Sequence, residues 1–211
     1  TQARQEQSLN STAMRSVLRL TKLMAGAGLA TRNLSSDPDI TGLTEDSRNV
    51  EPGFLFAAVC GSRSDGADYL QEAVRRGAAA ILAEPGKALG LQTGVPIISV
   101  QQTRRHYSLL AAQLYRAQPS SIAAVTGTNG KTSVVSFLRQ IWSLSGFSAA
   151  SVGTLGVEVP GVASTDLSQR GSSLTTPEPV FLHRTLDYLA SKGVQHVAIE
   201  ASSHGLDQYR I

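Results

Sequence analysis

Residues 123–133 read Ala-Ala-Val-Thr-Gly-Thr-Asn-Gly-Lys-Thr-Ser, and their order narrows the possible folds more than any other stretch of the chain. An apolar β-run at 122–125 feeds a glycine-containing turn, a lysine and a hydroxyl residue follow, and an amphipathic helix begins. That order suits an anion. Gly127 and Gly130 let the backbone curl until successive N–H groups point inward. The helix sets the positive end of its dipole behind them. Lys131 offers a mobile charge to outer phosphates, and the Thr132 hydroxyl suits a hard cation such as Mg2+. Gly127, Thr128, Asn129, Gly130, Lys131, Thr132 and Ser133 are therefore expected to hold ATP. The loop is a short form, with Thr126 ahead of its first glycine.

The remaining signals place this loop in the second of two α/β domains, each built on strands alternating with helices. At 211 residues the chain is long enough for both. Residues 1–14 are polar and aperiodic and read as disordered or as an extra N-terminal segment. Residues 15–118 read as the first domain. A helix is expected at 15–27, a short strand running into a polar turn over 41–48, strands at 54–59, 78–83 and 95–100, and helices up to Gly77 and over 103–116. The last of these would turn Leu109, Leu110, Ala112, Gln113 and Leu114 inward. Residues 119–211 read as the second domain. Its helix after the loop would bury Val134, Phe137, Leu138, Ile141 and Trp142. A second helix would be capped by Thr176, with Pro177 at its first position and Glu178 in its first turn. It would close at Lys192 and Gly193, and a buried strand at 195–199 would end in Glu200.

Composition removes several function classes. The 19 basic and 16 acidic residues give a net charge of +3, and the basic ones are scattered, so no nucleic-acid stripe forms. A single cysteine, Cys60, allows no internal disulfide and fits a reducing compartment. Its apolar surroundings predict a buried, inert thiol. No apolar run reaches the roughly 18–20 residues that span a bilayer, and the Gln-rich start has no signal-peptide core. We expect a cytoplasmic protein without membrane insertion.

Glu200 is the second chemical signal. A carboxylate at the carboxyl end of an apolar parallel strand sits where open α/β sheets bind ligands. It would complement Thr132 as a metal-facing group; the plainer reading is a salt-bridged or exposed strand end. The polar run at 201–210 follows it directly, and His204 there is open to both a turn role and a substrate contact. Asp46-Ser47-Arg48 and Ser62-Arg63-Ser64 occupy two turns of the first domain, a composition that ordinary surface turns also use.

Taken together, Thr-Gly-Leu-Thr-Glu-Asp-Ser-Arg (41–48), Pro-Gly-Phe-Leu-Phe-Ala-Ala-Val (52–59), Asp65-Gly66, Gly77-Ala78 and the phosphate loop resemble the Mur ligases of peptidoglycan synthesis. Thr175-Thr176-Pro177-Glu178 and the run Glu-Ala-Ser-Ser-His-Gly-Leu-Asp-Gln-Tyr-Arg (200–210) narrow the resemblance to the MurE type. The resemblance implies an N-terminal UDP-binding α/β domain followed by the start of a central ATP-binding domain with a mainly parallel sheet. It implies ATP-dependent amide ligation of a third amino acid, meso-diaminopimelate or L-lysine, to UDP-N-acetylmuramoyl-L-alanyl-D-glutamate through an acyl phosphate, by a monomer. Ser47, Ser62, Arg63 and Ser64 would hold the UDP part. Thr175, Thr176, Ser202, Gln208 and Arg210 would hold the muramyl-dipeptide. Lys131 and Glu200 would be catalytic, and Thr132 and Glu200 would ligate Mg2+. Glu45 and Leu174 depart from the family's residues at those positions. The family's histidine-bearing metal loop, carbamylated lysine and amino-acid-binding domain do not occur before Ile211, so this chain alone is expected to be inactive and to expose a strand edge. Two rivals share parts of the pattern. The D-Ala-D-Ala-adding Mur ligase lacks the Ser-Ser-His-Gly-Leu run, and folylpolyglutamate synthetase lacks the Asp-Ser-Arg domain. A non-catalytic nucleotide-binding fragment is the alternative from a different class.

Overall fold

The computed structural model describes residues 17–32, 34–61, 64–159 and 174–211. The segment expected at 1–14, and the site residues Ser62 and Arg63, lie outside the described residues. The chain divides into two compact units, Thr1–Thr103 and Arg104–Ile211.

In the first unit, β1 (Leu18–Arg19) leads directly into α1 (Leu20–Gly26), and β1 pairs antiparallel with β2 (Asp39–Ile40). The helix expected over 15–27 thus begins only at Leu20. Its start is fixed from a distance: the Asp37 carboxylate accepts from the Thr21 N–H at 2.8 Å and from the Thr21 hydroxyl at 3.0 Å. These bonds hold the Asp37 carboxyl below its ordinary range. A cap supplied sixteen residues later leaves no mark on local periodicity.

Four parallel strands follow: β3 (Gly42–Thr44), β4 (Phe54–Ala57), β5 (Ala80–Ala83) and β6 (Ile97–Ser99), in spatial order β3-β4-β5-β6. The helix α2 (Leu70–Arg75) joins β4 to β5. Leu55, Phe56, Ile81 and Leu82 are fully buried, as near-continuous apolar strands require when both faces are covered. Phe56 and Ile81 pack with Leu70, Ala73 and Ala78 into one core. Gly77, at φ +96°, turns the chain from α2 toward β5. β4 ends at Ala57, earlier than the sequence pattern predicts, and Cys60 beyond it is exposed rather than buried.

The second unit opens with α3 (Thr103–Leu114). Tyr107, Leu110, Ala111 and Leu114 form its buried stripe, so Leu109, Ala112 and Gln113 lie at the margin of the expected inner face.

The second unit contains β7 (Ser121–Val125), α4 (Lys131–Leu144), β8 (Ala149–Gly153), β9 (Gly156–Glu158), α5 (Pro179–Ser191), β10 (His196–Glu200) and α6 (Ser203–Asp207). Its sheet has the order β7-β10-β8-β9; the first three strands are parallel, and β9 returns antiparallel along β8. Strand alternation separates two faces. Val152, Val197 and Ile199 pack with Leu182, Leu186 and Leu189 of α5. The opposite positions, Ala149, Ser151, Gly153 and Ala198, are small. They admit α4, whose Trp142 ring meets the His196 ring at 5.2 Å with a tilt of 48°.

Two helices of this unit differ from the expected pattern. Val135 is the buried residue of α4, whereas Phe137 and Ile141 are 60% and 57% exposed. This helix carries two apolar stripes, and the sheet covers the one containing Val135. The following helix begins at Pro179 after the extended Glu178, so Thr176 does not cap it. Thr176 is instead drawn into the end of β10, as its hydrogen bonds show.

Candidate functional site

The strand register assembles the site. Glu200 lies opposite Val125, the last residue of β7, and Ile199 lies opposite Val152. Glu200 is therefore level with both the start of the phosphate loop and the Gly153 end of β8. The Ala201 N–H donates to the Val125 carbonyl at 2.9 Å, extending the pairing past the carboxylate. This is the carboxyl edge of a parallel sheet, where ligands bind in open α/β folds.

Gly130 has φ +77° and forms the N-terminal boundary of α4. A Cβ there would meet nothing within 4 Å, so torsion rather than space requires glycine. No side chain caps this 14-residue helix. Its first N–H groups thus remain available to a ligand at the exposed loop. The Lys131 ammonium folds over the loop and donates to the Gly127 carbonyl at 2.6 Å. Thr132, Ser136, Ser151, Gly153, Glu158 and Glu200 line a pocket beside the loop.

Glu200 is 2% exposed. The Thr154 N–H donates to its Oε1 at 2.9 Å, and the Thr154 hydroxyl lies 3.1 Å from its Oε2. Among the described residues no salt bridge reaches Glu200, which removes the ion-paired reading of this carboxylate within that set. Buried charges are ordinarily paired or coordinate metals. A buried carboxylate sharing a pocket with the Thr132 hydroxyl therefore fits a hard cation. Among the described residues no group of three or more His, Cys, Asp or Glu gathers around a common point. A cation here would draw its other oxygens from phosphate and water.

The muramyl-dipeptide candidates converge just beyond Glu200. The Thr176 hydroxyl donates to the Glu200 carbonyl at 3.0 Å and accepts from the Ser202 N–H at 2.8 Å. Ser202 caps α6 by accepting from the Gly205 N–H. A Cβ on Gly205 would come within 2.6 Å of Thr176 Cβ, so glycine permits this contact. The Arg210 guanidinium donates to the Thr176 carbonyl at 3.0 Å and to Gln208 Oε1 at 2.5 Å. Thr176 and Arg210 are buried, while Thr175, Ser202 and Gln208 are half-buried. Buried and half-buried members thus form one braced cluster around the end of β10. His204, inside α6, is exposed.

In the first unit, Ser47 opens a 3-10 turn after β3, and Ser64 follows β4. Because β3 and β4 are parallel neighbours, both turns emerge at the same sheet edge. Ser47 is buried, and Ser64 is exposed. The turn holding Ser47 is capped by Asp46, which also pairs with Arg48 at 2.7 Å.

Gly153 and Thr154 were not among the site residues that the sequence pointed to. The available signal was a Gly-Thr pair at the carboxyl end of a buried strand, the same topological address as Glu200.

Comparisons with known proteins match both units. The profile for the Mur ligase family, catalytic domain, covers residues 39–117, and that for the Mur ligase middle domain covers 125–211. A Rhizobium meliloti (strain 1021) protein named UDP-N-acetylmuramoyl-L-alanyl-D-glutamate--2,6-diaminopimelate ligase is 51% identical over 173 residues, 82% of this chain and 34% of that protein. A protein of the same name from Brucella melitensis biotype 1 is 51% identical over 177 residues, 84% of this chain and 35% of its own. A solved structure of a ligase of that name superposes with a TM-score of 0.67 at 27% identity, covering 81% of this chain and 34% of that one. The chain spans about a third of the length of the curated relatives it matches. Matched by Mur ligase profiles at both its phosphate-loop unit and the unit before it, the chain belongs to the Mur ligase family.

Proposed function

We propose that this chain is the nucleotide-recognising part of an ATP-dependent ligase that adds 2,6-diaminopimelate to UDP-N-acetylmuramoyl-L-alanyl-D-glutamate. The observation that carries the reading is the register placing Glu200 beside the phosphate loop and level with Gly153. The names of the relatives, at about half identity, supply the substrate class. Residues 15–118 take the UDP part, with Ser47, Ser62, Arg63 and Ser64 at the relevant turns. Residues 119–211 take ATP at 127–133 and the muramyl-dipeptide at Thr175, Thr176, Ser202, Gln208 and Arg210.

The reaction joins an amine to the D-glutamyl carboxylate. That carboxylate attacks the γ-phosphorus of ATP, ADP departs, and the amine then displaces phosphate from the acyl phosphate. The N–H groups at the start of α4 hold phosphate oxygens, and Lys131 offsets negative charge as the phosphoryl group moves. Glu200 and Thr132 would hold Mg2+, which when bound neutralises charge on the phosphates. Buried Thr176 and Arg210 hold the loop that presents Ser202 and Gln208 to the dipeptide.

The test is chemical-shift mapping with UDP-N-acetylmuramoyl-L-alanyl-D-glutamate. We expect shifts at 46–48 and 61–66 and at Thr175 and Ser202. UDP alone should move only the first set. An unperturbed spectrum at millimolar ligand would overturn the assignment.

A further inference from the structure

Among the described residues, the hydrogen bonds to the Glu200 carboxylate come from one residue, Thr154. The backbone N–H of Thr154 engages one oxygen and its hydroxyl the other, fixing both the position and the plane of the carboxylate. Gly153 makes this possible, because a Cβ there would lie 2.6 Å from Glu200 Cδ. The Thr154 hydroxyl also lies 3.3 Å from the Thr175 hydroxyl. The one Thr154 hydroxyl proton is shared between these two acceptors, and the carboxylate, nearer and able to accept a charge-assisted bond, is the stronger of them.

We propose that Thr154 is the positioning residue for Glu200, holding the carboxylate toward the metal–phosphate pocket through its side-chain hydroxyl. The proposal rests on the reading of Glu200 as a metal-facing group. Neither oxygen is consumed, since each accepts one donor and keeps a further lone pair for a cation. A glutamate with several free rotors would otherwise lose orientation entropy on metal binding. Partners that orient metal ligands commonly change metal affinity by 10–100-fold when removed.

The experiment titrates Mn2+ into the 211-residue chain with the non-hydrolysable analogue AMP-PNP, following water-proton relaxation. Thr154→Val removes the hydroxyl at nearly constant shape and should weaken Mn2+ about tenfold. Thr154→Ser keeps the hydroxyl and should stay within about twofold of the parent. AMP-PNP affinity in EDTA should be unchanged in both, which a merely structural defect would not allow. Thr154→Ala repeats the measurement if valine unfolds the chain. Glu200→Gln separates the two ideas. If it weakens Mn2+ while both hydroxyl-free variants bind as the parent does, Thr154 is not the positioning residue and the site reading survives. If Glu200→Gln leaves Mn2+ affinity unchanged, the site reading falls and this inference with it.

Discussion

Lys131 and Gly130 carry the phosphate loop by different physics. The lysine contributes charge, and its ammonium already lies over the loop, on the Gly127 carbonyl. The glycine contributes a backbone conformation, φ +77°, that a Cβ disfavours even though the space around it is open. Gly130→Ala should therefore cost about 1–2 kcal/mol of stability from torsion alone. Its larger effect should be on the loop, tilting the first N–H groups of α4 and lowering triphosphate affinity more than tenfold. Denaturant unfolding and nucleotide titration would read the two effects separately. The glycine turn and the helix start after it were legible in the sequence because they coincide within seven positions. Thr154 was not, because its role depends on meeting Glu200, 46 residues away, at the end of a different strand.

Elements were legible wherever packing agrees with local pattern, as in β5 and β10. They were misread where a distant group decides. Asp37 sets the start of α1, and Thr176 leaves its helix to brace the end of β10. The inner face of α4 was misassigned because that helix carries two apolar stripes and sequence alone does not say which one a sheet covers. On α5, burial holds His183 below the ordinary imidazole range. The unfolded chain then binds a proton before the folded one does. Stability should be insensitive to this group above about pH 7 and should fall as pH drops through the ordinary imidazole range near 6.5. His183→Gln should flatten that decline, seen as a smaller difference in urea midpoint between about pH 7.5 and pH 5.5. An equal decline in parent and variant would assign the pH dependence to other groups.

For the molecule as a whole, the second unit leaves apolar surface uncovered. Val134, Phe137, Ile141 and Leu144 share the outer stripe of α4, and β7 is an edge strand with Ile122 38% exposed. Uncovered apolar faces and strand edges favour association. Sedimentation velocity should show concentration-dependent self-association of the chain, and Phe137→Lys with Ile141→Lys should reduce it. No helix among the described residues is long and apolar enough to cross a membrane, so this surface is not a spanning segment. The proposed ligase function requires the carboxyl edge of the second sheet to be a triphosphate site. Calorimetric titration of ATP with Mg2+ into the 211-residue chain tests that directly, with Lys131→Ala beside it. Saturable one-to-one binding that weakens at least tenfold in Lys131→Ala is the predicted result. Equal affinity in parent and variant, or no binding by the folded parent at millimolar ATP, would contradict it.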